Sequence, residues 1–280
     1  MGRLSNTWHL TKVSWSLLKK DRELLWLPVI SGLVIVALLL VFLVASLTTG
    51  GIEVDEGSEG FGGIAIVLGV VFTFAATGTG VFFEGALVAG AYDRMTGGDP
   101  TVRSAIGKAT ARLPSLLGWA IVSATVGMLL RALEERLPWL ARILLWFVEA
   151  AWAIATYLVV PAIMIDDYRP IASIKHSASL VRKTWGENII SSAGFGLLGI
   201  LLMLPAILIG VVIAAIVPGF IGIVIGGAIG IAGVVAVLVV VSALSIYFKT
   251  ALYVYATDGS VLGGFDGDQM RNTFRAKHRR

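Results

Sequence analysis

Residues 25–47 read LWLPVISGLVIVALLLVFLVASL and contain no charged residue. A helix needs roughly 20 apolar residues to cross the hydrocarbon core of a bilayer, and this run is long enough. It is too long for the apolar region of a cleaved signal peptide, and it follows an organised basic segment instead of a short leader. The run therefore predicts a transmembrane helix.

The composition of the whole chain agrees with a membrane location. The 280 residues are 57% hydrophobic and 14% charged, and the mean hydropathy is +0.88. Too few charges remain to cover the surface of a water-soluble globule. Cysteine is absent, which excludes disulfides, thiolate metal sites and a cysteine nucleophile.

Five more apolar runs predict five further spans, so we expect an all-α, polytopic membrane helix bundle with six transmembrane helices. The fifth run contains Pro205, which lacks a backbone donor and should kink its helix. The five runs cover residues 64 to about 86, 116–130, 143–165, 189–217 and 221–247.

Basic residues are distributed unevenly around these spans. Of the 22 Lys and Arg residues, 19 lie in the N-terminal segment, the second and fourth loops and the C-terminal segment. The opposite side holds only Arg131, Arg136 and Arg142, beside the acidic loop from Glu53 to Glu59. By the positive-inside rule, both termini are cytoplasmic. The basic face suits anionic lipid headgroups and gives no reason to expect nucleic acid as a partner.

Three stretches that precede the odd-numbered spans share a pattern of apolar residues at spacings of three and four. They cover residues 4–18, 102–113 and 171–185, and basic residues lie off the apolar stripe. Asp99 and Pro100 form an expected helix start for the second stretch. We expect three amphipathic helices on the cytoplasmic interface, each leading into a span.

The even-numbered spans also end alike. The second ends in FFEGALVAGAYD at Asp93, the sixth ends in YFKTALYVYATD at Asp258, and the fourth contains the looser match TYLVVPAIMIDD. This predicts one transmembrane domain over 1–258, built from pseudo-repeats at about 4–98, 99–168 and 169–258, with a basic cytoplasmic tail over 259–280. The alternative is that such stripes arise by chance in apolar sequence.

Three stretches carry a resemblance to a known family: TWHLTKVSWSLLKKDRELLWLPVISG, GGDPTVRSAIGKATARLPSLLGWAIVSATVGMLLRALEERLPW and SASLVRKTWGENIISSAGFG. The chain resembles an uncharacterised family of prokaryotic six-span membrane proteins, known as a domain of unknown function. It is also distantly similar to the membrane domain of some glycerophosphoryl diester phosphodiesterases. The resemblance implies an architecture in the prokaryotic plasma membrane and brings no catalytic residues.

The sequence contains patterns that resemble catalytic or cofactor-binding motifs, but they lack the structural surroundings that such sites need. A GxGxxG pattern at Gly194, Gly196 and Gly199 lies inside an apolar span, whereas a dinucleotide site needs a preceding strand. His9, His176 and His278 are scattered, which is not a metal-ligand pattern. The pair Asp166 and Asp167 is interpreted as the cap of the following helix. We expect no enzyme activity, no cofactor and no metal.

Three ionisable residues fall inside or just beyond predicted spans and are candidate intramembrane charges: Glu84, Glu149 and Lys249. A charge at the bilayer centre costs about 2.5–3.5 kcal/mol on insertion scales, so it usually faces protein, water or a partner. Glu84 and Lys249 each precede a terminal Asp by nine residues, and they either form an ion pair or lie at the headgroups. Glu149 either pairs with Arg142 or lines a polar cavity.

The sixth span contains two consecutive GxxxG steps at Gly222, Gly226 and Gly230. Such steps allow close helix contact, either within the monomer or in a homo-oligomer. The leading hypothesis is a non-catalytic integral membrane protein that serves as a structural or accessory component of a membrane assembly. The alternative is a transporter or channel for a small solute or lipid.

Overall fold

The computed structural model describes residues 21–49, 63–185 and 194–260, together with Trp15 and Lys19. In this part of the chain the regular structure is helical and no strand is formed. Six helical segments are long and apolar enough to cross a membrane, which confirms the all-α membrane bundle. Their bounds are Arg22–Thr48, Gly63–Met95, Leu113–Arg136, Trp139–Asp166, Gly199–Ile216 and Phe220–Asp258.

A short 3-10 helix at Arg22–Leu25 leads into the first long helix. The α-helices, numbered in chain order, are α1 (Trp26–Thr48), α2 (Gly63–Met95), α3 (Val102–Ala111), α4 (Leu113–Arg136), α5 (Trp139–Ala155), α6 (Val159–Asp166), α7 (Pro170–Trp185), α8 (Gly194–Ile216) and α9 (Phe220–Asp258).

The fourth predicted span differs from the expected single helix. It consists of α5 and α6, separated by a turn at residues 156–158. Pro161 explains the break, because its ring removes the amide that would bond the carbonyl four residues earlier and clashes with that carbonyl. By contrast, α8 runs through Pro205 without a break.

Two of the three predicted amphipathic stretches are helices, α3 and α7, and the first stretch lies outside the described residues apart from Trp15. The predicted start of α3 at Asp99 is wrong. Thr101 is the N-cap: its Oγ1 accepts from the Ser104 amide at 3.1 Å, and the Thr101 amide donates to Ser104 Oγ at 3.0 Å. This reciprocal capping box satisfies two amides that a helix start otherwise leaves unpaired.

The described chain divides into two compact units. The unit made of Trp26–Gly90 and Thr101–Val181 packs through small residues. A methyl group at Gly85 would lie 3.1 Å from Leu116 Cδ1 and 3.3 Å from Met164 Sδ, so α2, α4 and α6 meet closely there. A methyl group at Gly118 would lie 2.7 Å from Pro170 Cγ, which fixes the start of α7 against α4.

The unit made of Met1–Leu25, Ala91–Pro100 and Arg182–Arg280 contains the hairpin of α8 and α9. The predicted packing glycines Gly222, Gly226 and Gly230 are all buried. A methyl group at Gly210 would lie 2.7 Å from the Gly226 carbonyl oxygen and 2.8 Å from Gly230 Cα. Gly226 and Gly230 therefore serve contact within the chain, where two backbones approach each other.

The similar endings of the even-numbered spans are buried at matching positions. Buried runs cover residues 85–91, 158–163 and 250–254. Counted to the last aspartate of each quoted ending, the runs begin eight residues before Asp93 and Asp258 and nine residues before Asp167. The threefold repeat stays a prediction, and this similar register is the observation that supports it.

Candidate functional site

Glu84 and Lys249, two of the predicted intramembrane charges, lie in α2 and α9 and are partly buried. Each already takes part in an interaction within the chain. Whether they pair with each other stays a prediction.

Glu149 lies in α5 and is also partly buried. Within the part of the chain that the structure describes, no hydrogen bond or ion pair involves its carboxylate. The Nε of Arg142 donates to the Leu137 carbonyl at 3.1 Å, at the start of the same helix. The pairing of Glu149 with Arg142 stays a prediction.

The break between α5 and α6 is closed by a side chain from another helix. Ser177, fully buried on α7, donates from Oγ to the Ala155 carbonyl at 2.7 Å. The same Oγ accepts from the Leu158 amide at 3.1 Å. Backbone groups at membrane depth must find partners, because lipid supplies none. One hydroxyl here satisfies the two groups on either side of the turn.

Asp166 and Asp167 end the preceding helix, so their interpretation as the cap of the following helix is wrong. Asp166 is the last residue of α6, and Asp167 is its C-cap in the left-handed conformation with φ 58°. Asp is one of the few residues that accept this conformation. The Asp167 carboxylate forms an ion pair with the Arg112 guanidinium, between α3 and α4.

The histidines form no metal cluster in the described residues. His176 stacks on Tyr168, with ring centroids 4.4 Å apart, and His9 and His278 lie outside the described residues. No group of three or more His, Cys, Asp or Glu residues in residues 21–49, 63–185 and 194–260 is arranged to hold a metal ion.

A cluster that the sequence did not predict surrounds Arg94, at the end of α2. Its Nε and Nη2 donate to the two carboxylate oxygens of Asp21, and Nη2 also donates to Asp99 Oδ1 at 2.6 Å. The Asp21 side chain is only 2% exposed, whereas that of Asp99 is 92% exposed. Such a two-pronged contact fits the planar guanidinium.

Tyr247 of α9 belongs to the same unit as the Arg94 cluster. Its side chain is fully buried, and its hydroxyl has no hydrogen-bond partner among the described residues. Asp21 and Arg94 are separated by 73 residues in the chain, so no local pattern indicated their contact.

These contacts stabilise the fold. Ser177 completes backbone hydrogen bonding, and Asp21 and Asp167 hold helix ends through arginine. Glu149 is different, because its carboxylate takes part in no hydrogen bond or ion pair with the described residues.

Comparison with known protein families gives a match over most of the chain. The model of the Family of unknown function (DUF6159) matches residues 64–264, from the start of α2 to just past the end of α9. This confirms the predicted resemblance to an uncharacterised family. No curated protein and no solved structure matches the chain, and the similarity to the phosphodiesterase membrane domain stays a prediction.

Proposed function

The chain belongs to this family of unknown function, and we propose that it is a non-catalytic integral membrane protein that acts as a structural or accessory component of a membrane assembly. The observation that carries the proposal is the use of Ser177 to close the broken fourth span. A break that served substrate would leave its backbone groups open to that substrate. Here a neighbouring helix occupies both groups.

The proposed location is the prokaryotic plasma membrane, with both termini in the cytoplasm. The uneven distribution of Lys and Arg supports this orientation. Arg103 and Lys108 on α3 and Lys175 on α7 are exposed, while Ala105 and Ala109 of α3 and Ser173 and Ser177 of α7 are buried. Each helix thus presents cations on the side away from its packed face, which favours contact with anionic headgroups.

The second candidate is a transporter or channel, and one observation favours it. A span broken near Pro161 is typical of transporters, whose sites form at discontinuous helices. However, such sites use the freed carbonyls and amides as ligands, and the amide of Leu158 and the carbonyl of Ala155 are both bonded to Ser177.

The two candidates are separated by extracting the chain from its native membrane in polymer-bounded lipid discs, without detergent. Light scattering then gives the protein mass of the particle. We expect a mass above the 29.6 kDa of one chain, and no solute flux when the purified chain is reconstituted into vesicles. A particle that holds a single chain and conducts solute would contradict the proposal and support transport.

A further inference from the structure

The proposed topology places Glu149 close to the middle of the membrane. It follows Trp139, the first residue of α5, by ten residues, which is about 15 Å at 1.5 Å per residue. The hydrocarbon core is about 30 Å thick. An ionisable side chain at this depth normally faces protein, water or a partner that offsets its charge.

The nearest cation on the same helix does not supply that partner. Arg142 precedes Glu149 by seven residues, about 10 Å along the axis. Its guanidinium Nε is bonded to the Leu137 carbonyl, away from the membrane centre. The described part of the chain therefore leaves the Glu149 carboxylate unmatched.

Glu149 belongs to a stripe on the outer surface of α5. Arg142, Trp146, Glu149 and Ala153 follow each other at spacings of four, three and four, which places them on one helical face. Trp146 is 62% exposed, and Ala153 is exposed as well. Small residues such as Ala153 let a second helix approach closely in a membrane, and tryptophan provides a large contact area.

A second copy of this chain is a poor occupant for the stripe. Among the predicted intramembrane charges, Lys249 is the one cation, and it is partly buried and already takes part in an interaction. A symmetric contact through α5 would place two Glu149 carboxylates near each other, and like charges repel.

We infer that the Arg142–Trp146–Glu149–Ala153 stripe binds a transmembrane helix of a different protein, one that carries a lysine or arginine at mid-membrane depth. This rests on the proposed function, because it names the kind of partner that the assembly contributes. The cation pairs with Glu149, Trp146 packs against the helix, and Ala153 allows the two backbones to approach.

The test uses the full chain in lipid vesicles and a synthetic transmembrane peptide of leucine and alanine with one central lysine. A matched peptide has leucine in place of the lysine. Energy transfer between a labelled chain and a labelled peptide measures association. We expect the lysine peptide to bind the wild type about tenfold more tightly than the leucine peptide, as for other polar contacts between membrane helices.

The Glu149→Gln chain should lose this preference. Leu144→Ala is the matched control, since Leu144 is 69% exposed on another face of α5, and it should keep the preference. If Glu149→Gln does not fold, Ala153→Trp blocks the same face while leaving the carboxylate, and it should also lose the preference. No preference in the wild type, or the same preference in Glu149→Gln, would overturn the inference.

A photo-cross-linker at position 153 in native membranes provides a second measurement. An adduct that disappears in Glu149→Gln supports the inference, and an adduct of two copies of this chain contradicts it. If the chain prefers the lysine peptide but the native particle has the mass of a single chain, the proposed assembly is contradicted and the binding face is still supported. The failure of the proposed function can therefore be distinguished from the failure of this inference.

Discussion

Ser177 shows how one side chain closes a broken span. Its hydroxyl bonds the Ala155 carbonyl and the Leu158 amide. Replacing it with alanine leaves two backbone groups without partners, so we expect Ser177→Ala to lower the free energy of unfolding by about 1–3 kcal/mol. Reversible denaturation in mild detergent measures this. Ser179→Ala changes an exposed serine on the same helix, and an equal loss in both variants would contradict the role of Ser177.

Arg94 provides a second test at the level of single residues. Its partner Asp21 is almost completely buried, so Arg94→Met leaves a buried carboxylate uncompensated and should cost about 3–5 kcal/mol of stability. The double variant Asp21→Leu with Arg94→Met should cost much less, because both charges are removed together. Asp99→Asn changes the exposed partner and should cost about 0–1 kcal/mol.

Thermal unfolding of the wild type and of these three variants measures the differences in stability. A loss in the double variant as large as that in Arg94→Met would show that Asp21 and Arg94 do not act as a pair. A loss in Asp99→Asn as large as that in Arg94→Met would show that the exposed contact contributes as much as the buried one.

The sequence predicted the importance of some single residues but not the contacts of others. Glu149 could be named as a candidate intramembrane charge because a glutamate inside an apolar run is visible in the sequence itself. The bonds of Ser177 and Asp21 were not predicted, because their partners lie about 20 and 73 residues away in the chain. Only the packing of helices brings such groups together.

At the level of elements, apolar runs were sufficient to locate six membrane-crossing helices. Their ends were less certain: α2 and α9 continue to Met95 and Asp258, beyond the apolar runs, and residues 85–91 and 250–254 near these ends are buried in protein. The break in the fourth span had a local signal in Pro161, yet Pro205 carries the same signal inside an unbroken helix. The difference at Pro161 is Ser177, which satisfies the groups that the break exposes.

The close packing of α8 against α9 depends on the absence of a side chain at Gly226. A methyl group at Gly226 would overlap the Gly210 carbonyl oxygen and lie 2.6 Å from the Ala214 amide nitrogen. These are backbone atoms that cannot rotate away, so we expect Gly226→Ala to cost about 1–3 kcal/mol through overpacking.

The adjacent glycine is the matched control. A methyl group at Gly227 meets nothing within 4 Å, and alanine is favoured over glycine in a helix interior by about 0.5–1 kcal/mol. Gly227→Ala should therefore leave stability unchanged or raise it. Denaturation of both variants side by side measures the difference, and a loss of similar size in each would refute close packing at Gly226.

At the scale of the whole molecule, a membrane location explains both the apolar composition and the exposure of large apolar side chains. Large apolar side chains are exposed along the spans, for example Leu33 on α1 at 64% and Val41 at 67%. In water this surface would drive aggregation, whereas in a bilayer it contacts lipid. The charged residues are too few to cover it, as the composition indicated. The predicted pseudo-repeats show only weak sequence similarity, and apolar residues replace one another freely in a lipid-facing position.

Orientation is the prediction that concerns the whole chain, and the absence of cysteine makes it directly testable. Lys175 and Glu135 are both exposed and fall on opposite sides of the membrane in the proposed topology. In intact cells, an impermeant thiol reagent should label Glu135→Cys and leave Lys175→Cys unlabelled, because the basic loops stay in the cytoplasm. Opening the cells should make both positions reactive. Labelling of Lys175→Cys alone in intact cells would show that the orientation is opposite to the proposed one. The basic faces of α3 and α7 would then lie outside the cell, away from the anionic inner leaflet.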